Sequence, residues 1–319
     1  MLFRQLEYFV AVAREKHFAR AAEACYVSQP ALSAAIVRLE RELNVTLINR
    51  GHNFEGLTPE GERLVVWAKR ILAEHDAFKA EAFAMKSGIA GTLRLGTGPT
   101  ASTTASLPVT AFTSMHPLAK VRICSRLSST ELCRQLRDFE LDAAIAHFDA
   151  ADNEGLELAP IYEERYVLLV SGGKLAPDAK EITWAEAAGM PLALLSPDMR
   201  FRQFIDSAFR DSGVTAAPQV ETDSVASLYT YVATGTCASI VPHTWLRDIP
   251  ATGPTRSISL IEPEMKAQIS VAIRAGTAVS VAAKSFFDLA ADLSLAEIFE
   301  PADMGALSGA PKGLAPALG

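Results

Sequence analysis

The sequence predicts a chain in three parts: a mainly α winged helix-turn-helix, then a long linking helix, then an α/β domain. Three observations carry this. Short apolar-periodic helical segments and a β-prone hairpin fill residues 1–58. A single three- and four-residue periodicity runs on through 59–88. From 91 to 300, apolar strands alternate with helical stretches, the pattern of crossover-connected sheets. A chain of 319 residues has room for two or three domains, and 49% hydrophobic with 21% charged residues describes a folding sequence.

The first helix is read from Leu6, Phe9, Val10 and Ala13, the second from Phe18, Ala21, Ala22 and Cys25. The third opens at Ser28, a good N-cap, with Pro30 in the first turn, where backbone donors lack intrahelical partners. Leu32, Ile36, Leu39 and Leu43 share its apolar face, while Ser33, Ala34, Val37 and Arg38 fall elsewhere. The short break Tyr26-Val27-Ser28 suggests a helix-turn-helix, although a plain three-helix bundle fits the periodicity equally. The next segment favours the former: 45–49 is β-prone, 50–54 is a polar-tipped turn, and Leu57-Thr58 closes a hairpin, making a wing.

Thr58-Pro59 has the cap and first-turn chemistry of a helix start, and the helix should reach Ser87, a span of about 45 Å. Leu64, Trp67, Ile71, His75, Phe78 and Ala82 form a coiled-coil-like seam along it; the alternative is a helix folded back on its own domain. After the break at 88–91, strands are expected at 92–96, 121–125, 143–146, 166–170, 193–195, 238–241 and 269–273, in parallel sheets. The Gly/Ala/Pro-rich stretch 301–319 has no aromatics and is expected to be a disordered tail.

Composition narrows the function classes. No run of eighteen apolar residues exists, which excludes a transmembrane helix, and the N-terminus lacks the features of a signal peptide. Cys25, Cys124, Cys133 and Cys237 have no metal-type spacing and are too few for a disulfide scaffold, so a cytoplasmic location is expected. Residues 1–90 hold 12 Lys+Arg against 11 Asp+Glu, and the remainder 18 against 26, so the net charge of −7 lies outside the N-terminal part. An acidic whole leaves nucleic-acid binding open, because only the docking face must be positive. No Gly-x-Ser-x-Gly elbow, Walker phosphate loop or His-Glu-x-x-His motif occurs, and the six histidines are scattered. The chain therefore reads as no enzyme, with no cofactor and no metal. A redox pair of Cys124 and Cys133 would need a depressed thiol pKa, which their sequence neighbours do not clearly supply.

Phe9-Val-Ala-Val-Ala13, Phe18-Ala-Arg-Ala-Ala22, Val27-Ser-Gln-Pro-Ala-Leu-Ser33, Leu39-Glu40, Arg50 and Leu57-Thr-Pro-Glu-Gly61 resemble the N-terminal domain of LysR-type transcriptional regulators. The resemblance is strong over the first ninety residues and more diffuse beyond. It implies sequence-specific binding of double-stranded DNA, with Ser28, Gln29, Pro30 and Ser33 at the major groove and Arg50, His52 and Asn53 approaching from the wing. The chemistry agrees: Gln can bond an adenine edge in bidentate fashion, Pro can touch a thymine methyl, and Ser serves bases or phosphates. Ala34-Ala35 departs from the family, which often has basic or amide residues there, so the target sequence cannot be copied from relatives. The resemblance further implies a homodimer or homotetramer joined through the linker helix.

For the rest of the chain it implies a two-lobed α/β effector domain similar to type 2 periplasmic binding proteins, with lobe one at 91–163 plus 268–300 and lobe two at 164–267. Ligands in such folds sit at the carboxyl ends of strands, facing helix N-termini. Thr100 and Ser102 follow the first strand, Ser128 and Ser129 follow the second with Glu131 completing a capping box, and Ser224 precedes a later helix. Any one of these serines or threonines could be a simple cap. Arg200, Phe201 and Arg202 would face them from lobe two, offering cations and an aromatic surface. Hydroxyls, helix N-termini and arginines without a buried carboxylate suit a small organic anion, which is the expected effector.

Overall fold

The computed structural model describes residues 1–50, 54–125, 127–149, 153–171, 176, 178–247, 255–276 and 279–299. Helices α1 (Phe3–Glu15), α2 (Phe18–Ala24) and α3 (Gln29–Leu43) pack around Leu6, Phe9, Val12, Ala21, Leu32, Ile36 and Leu39. Each boundary has a local cause. Lys16 and Asn44 end α1 and α3 in the left-handed conformation, and the Ser28 hydroxyl caps α3 by accepting from the Ala31 amide at 3.4 Å.

The wing, β1 (Ile48–Arg50) and β2 (Phe54–Leu57), is antiparallel with Ile48 opposite Leu57. It is held to α3 by the Glu40 carboxylate, which accepts from the Leu47 amide at 2.9 Å and the Ile48 amide at 3.3 Å. Thr58 then works at both ends: its hydroxyl donates to the Thr46 carbonyl at 2.6 Å and accepts from the Gly61 amide at 2.9 Å. A Cβ at Gly61 would meet the Leu47 carbonyl oxygen at 2.1 Å, so glycine is what lets the helix start lie against the wing.

Helix α4 (Pro59–Ser87) has 29 residues and spans about 43 Å. Its apolar seam is divided. Val65 and Ala68 are buried, and Leu64, Ile71 and Leu72 pack half-buried, against the N-terminal core, while His75 stacks on Phe3 with ring centroids 4.0 Å apart. Trp67, Phe78 and Met85 stay exposed at 57, 74 and 77%. One face of the helix thus folds back on the N-terminal domain, and another faces outward.

The α/β domain has one eight-stranded sheet shared by two lobes. Its order is β4 (Ala119–Cys124), β3 (Gly91–Thr97), β5 (Ala143–His147), β12 (Lys266–Arg274), β6 (Leu156–Ser171), β11 (Thr255–Ile261) and β7 (Glu181–Thr183), with β10 (Ser239–Pro242) also on β6. Strands β8 (Ala193–Leu195) and β9 (Val220–Thr222) form a separate parallel pair. Helices α5 (Ala101–Thr104), α6 (Ser106–Met115), α7 (Ser129–Arg137), α11 (Val281–Asp292) and α12 (Leu295–Phe299) belong to lobe one. Helices α8 (Trp184–Ala188), α9 (Arg200–Asp211) and α10 (Val225–Ala233), with a short 3-10 helix at His243–Arg247, belong to lobe two.

The expectation of parallel sheets holds for part of the domain and is corrected for the rest. Only β4, β3 and β5 run parallel in lobe one; β12 is antiparallel to β5 and to β6. The cause is β6, sixteen residues long, which leaves one lobe and enters the other. Through Arg165 it pairs with β12; from Tyr166 it pairs with β10 and β11. The return crossing is the turn between β11 and β12. Each lobe has its own core, around Phe112, Phe286 and Phe287 in lobe one and around Trp184, Phe209 and Trp245 in lobe two. No helix among the described residues is long and apolar enough to cross a membrane. The stretch expected to be a disordered tail lies outside the described residues.

Candidate functional site: a recognition helix and an interlobe crevice

Ser28, Gln29 and Pro30 are exposed at the N-terminus of α3, Ser33 is half-buried one turn on, and Ala34 and Arg38 are exposed beside them. The helix presents this face because Leu32, Ala35, Ile36 and Leu39 occupy the opposite one, buried in the core. The Arg38 guanidinium donates to the Ala34 carbonyl at 3.4 Å, so a cation lies along the same surface. Arg50 ends β1 opposite Phe54; its side chain, with His52 and Asn53, lies outside the described residues.

Between the lobes is a crevice of about 390 Å³. The carboxyl ends of β3 and β5 and the start of α7 form its lobe-one wall, through Thr100, Ser129, His147 and Asp149. Lobe two contributes Phe201, Gln203, Phe204 and Ser207 from α9, and Tyr166 stands at the crossing. Gly98 permits the close approach of the first turn: a Cβ there would lie 3.2 Å from the Ala146 Cβ. Thr100 also joins the lobes through its backbone, since its carbonyl accepts from the Trp245 indole at 3.0 Å.

Of the eight residues the sequence nominated for the effector, Thr100, Ser129 and Phe201 line this crevice. Ser128 caps α7, accepting from the Glu131 amide at 3.2 Å, and borders an adjoining groove with Asp198 and Asp223. The expected capping box is only half formed, because the Glu131 carboxylate turns to Arg134 and Gln135 instead. Ser102 donates to the Pro99 carbonyl in its own turn, and Ser224 caps α10; neither lines the crevice. The Arg200 side chain lies outside the described residues.

Arg202 requires correction. Its side chain is 7% exposed and is consumed within lobe two, donating to Asp206, Glu221 and the Leu195 carbonyl, each at 2.8 Å. It ties α9 to β8 and β9. Helical spacing is the reason: Phe201 points to the crevice, and its neighbour, about 100° further round, points to the sheet.

A second correction concerns the absence of a buried carboxylate. Glu164, on β6 at the crossing, is fully buried. The Tyr166 hydroxyl donates to its Oε1 at 3.0 Å, and Oε2 has no hydrogen-bond partner. Burial pushes the carboxyl up to about 7, the Tyr166 and Thr100 hydroxyls only partly offsetting it. The sequence carries no signal for this, because the charges and proline of 156–165 do not read as a strand.

His147 is a further residue that sequence reasoning did not reach. Its Nδ1 faces the Gln268 carbonyl at 3.0 Å and its Nε2 the Asp149 carboxylate at 3.3 Å. Both neighbours are acceptors, and the ring is half exposed beside them. Among the described residues no cluster of His, Cys, Asp and Glu is arranged to hold a metal.

Comparison with known proteins matches both parts. Residues 3–62 match the family model of the bacterial regulatory helix-turn-helix protein, lysR family, and residues 86–294 that of the LysR substrate binding domain. A "Probable hydrogen peroxide-inducible genes activator" of Streptomyces viridosporus is 30% identical over 282 residues, covering 86% of this chain and 88% of its own. The dual regulator OxyR of Escherichia coli is 27% identical over 278 residues, covering 87% of this chain and 90% of its own. In structure, a full-length OxyR variant from Pseudomonas aeruginosa superposes with a TM-score of 0.70 at 26% identity, over 92% of this chain and 94% of that one. Full-length CbnR in complex with its target DNA has the same fold, with a TM-score of 0.61 at 23% identity, over 92% of this chain and all of that one. The helix-turn-helix with its exposed α3 face, the two-lobed domain behind it and the two family matches in the same order lead to one conclusion: the chain belongs to the LysR family, DNA-binding transcriptional regulators with an effector-binding domain, and not to a family of enzymes.

Proposed function

We propose that this regulator binds a small organic anion in the interlobe crevice and that occupancy shifts the arrangement of a homo-oligomer on its DNA. The observation that carries the reading is the crevice wall itself: Thr100 and Ser129 offer hydroxyls, and α7 directs its N-terminus there. Phe201 and Phe204 add an apolar surface, which favours an organic ion over a bare inorganic one.

On the DNA side, Ser28, Gln29, Pro30 and Ser33 are proposed to read the major groove, with Arg50, His52 and Asn53 on the flanking backbone. The exposed Trp67, Phe78 and Met85 on α4 support pairing of two subunits, which would present two recognition helices to one palindromic site. The division into 1–58, 59–88 and a two-lobed 91–300, and a cytoplasmic location, belong to the same proposal.

The Streptomyces viridosporus relative is named for peroxide induction, a signal that three of this chain's four thiols do not favour. Cys133 and Cys237 are fully buried, and burial pushes the Cys25 thiol up, whereas reactive thiols are accessible with depressed pKa; Cys124, on β4, is half-buried. The test is calorimetry of the full-length protein against small carboxylates, beside footprinting on the DNA flanking its own gene. Thr100→Val with Ser129→Val should weaken carboxylate binding at least tenfold, with circular dichroism unchanged. Full affinity in that variant would place the effector elsewhere.

A further inference from the structure

Glu164 is buried beyond solvent reach at the residue where β6 leaves lobe one, and no step of effector binding described so far uses it. Its neighbours are two groups of the crevice wall. Tyr166 lines the crevice and spends its hydroxyl proton on Glu164 Oε1; the Thr100 side chain sits beside the same carboxyl without closing a bond on Oε2.

An ionised carboxylate can only accept hydrogen bonds. While Glu164 is charged, Tyr166 must therefore donate inward and can show the crevice only lone pairs. A protonated carboxyl can itself donate to the phenol oxygen, which releases the Tyr166 proton toward a ligand. From this geometry we infer that Glu164 is a specificity-determining residue of the effector site: its proton sets whether the crevice offers a donor or an acceptor at Tyr166, so an anionic effector binds together with one proton. This rests on the proposal that the crevice takes an organic anion.

The surroundings leave the carboxyl free to titrate with the site. On β6 its titratable neighbours are Tyr162 and Tyr166, both raised well above the usual phenol range by burial first and then by the Glu164 charge. From α5, Thr104 bonds the Tyr162 hydroxyl at 2.8 Å. From the 3-10 helix, His243 is turned to the Arg165 backbone, and burial lowers its pKa toward the neutral form. From β12, Lys266 is engaged with Glu163 and Glu264. Phe201 and Phe204 of α9 cover Tyr166, and Phe299 of α12 covers Tyr162. His147 and Asp149 stand across the crevice, 3.3 Å from each other. Among the described residues no cation forms an ion pair with Glu164. Its carboxyl, pushed up to about 7, is thus poised between its two forms near neutral pH.

The experiment uses the full-length protein with acetate, succinate and phenylacetate as probes. Calorimetry at pH 6 and pH 8, in two buffers of different ionisation enthalpy, gives affinity and proton uptake together. Binding should be about tenfold weaker at pH 8, the fraction of protonated Glu164 setting the apparent affinity, and should take up close to one proton there. Glu164→Gln, neutral at every pH, should abolish the pH dependence. Tyr166→Phe should do so too, while the infrared carboxyl band of Glu164 still titrates. Equal affinity at both pH values without proton uptake overturns the proposal. If no probe binds at either pH, the anion reading fails, and infrared titration of the ligand-free protein decides the rest. A Glu164 carboxyl already ionised at pH 5, or still protonated at pH 9, overturns the switch.

Discussion

Removing the Arg202 guanidinium tests whether α9 is built for ligand or for structure. Arg202→Ala leaves the Asp206 and Glu221 carboxylates and the Leu195 carbonyl without their shared donor. Breaking a buried ion pair costs about 3–5 kcal/mol when the remaining charge is stranded. Here Asp206 and Glu221 are 30% and 44% exposed, so water reclaims much of both, and their share must be discounted. The Leu195 carbonyl is buried and loses a charge-assisted bond of about 1.5–3 kcal/mol, and the aliphatic stem loses its packing. The expected destabilisation of lobe two is about 2–3 kcal/mol. Arg202→Lys should recover only part of it, because one ammonium cannot replace a planar fork serving three acceptors. Trp184 and Trp245 both lie in the lobe-two core, so urea unfolding followed by tryptophan fluorescence reports the right region. A loss below about 0.5 kcal/mol, which is the usual range for a surface substitution, would refute the structural role. So would an unchanged unfolding curve accompanied by lost effector binding.

The other predictions concern the DNA face, the oligomer and pH. Gln29→Ala should weaken specific DNA binding by about 1–3 kcal/mol in fluorescence anisotropy; unchanged affinity and sequence preference would count against α3 as the reading helix. Trp67→Glu with Phe78→Glu should dissociate the oligomer in light scattering, and a monomeric parent protein at micromolar concentration would sink the pairing of α4. Ile71 is a poorer probe than its spacing suggests, because it packs against the N-terminal core. For pH, Glu164 is raised from its ordinary 4.5 to about 7, so its neutral form stabilises the fold fully below 4.5 and that stability is lost as pH rises through 7. Relative to Glu164→Gln, the parent protein should lose about 3 kcal/mol between pH 4.5 and pH 8 in urea titrations, and a flat difference would contradict the buried carboxyl.

Much of this protein was legible in the sequence because its causes are local. Ser28, Pro30, Thr58 and Pro59 announce helix starts through their own backbone chemistry, and Leu32, Ile36 and Leu39 announce a buried face through spacing. The LysR-type order of domains followed from those segments and from the motif around Ser28–Ser33. What only the tertiary structure decided is what depends on distant partners. The segment Leu156–Arg165 carries charges and a proline and does not read as a strand; β12, a hundred residues later, makes it one by pairing along its length. Strands β7, β9 and β11 are likewise defined by the neighbours that complete their ladders. The same holds at the site. Phe201 and Arg202 are adjacent in the chain, yet one lines the crevice and the other is locked by Glu221 from another strand. Glu164 could only be identified once β6 was seen to bury it at the crossing of two lobes, since burial and an unpaired oxygen are properties of surroundings that no stretch of sequence contains.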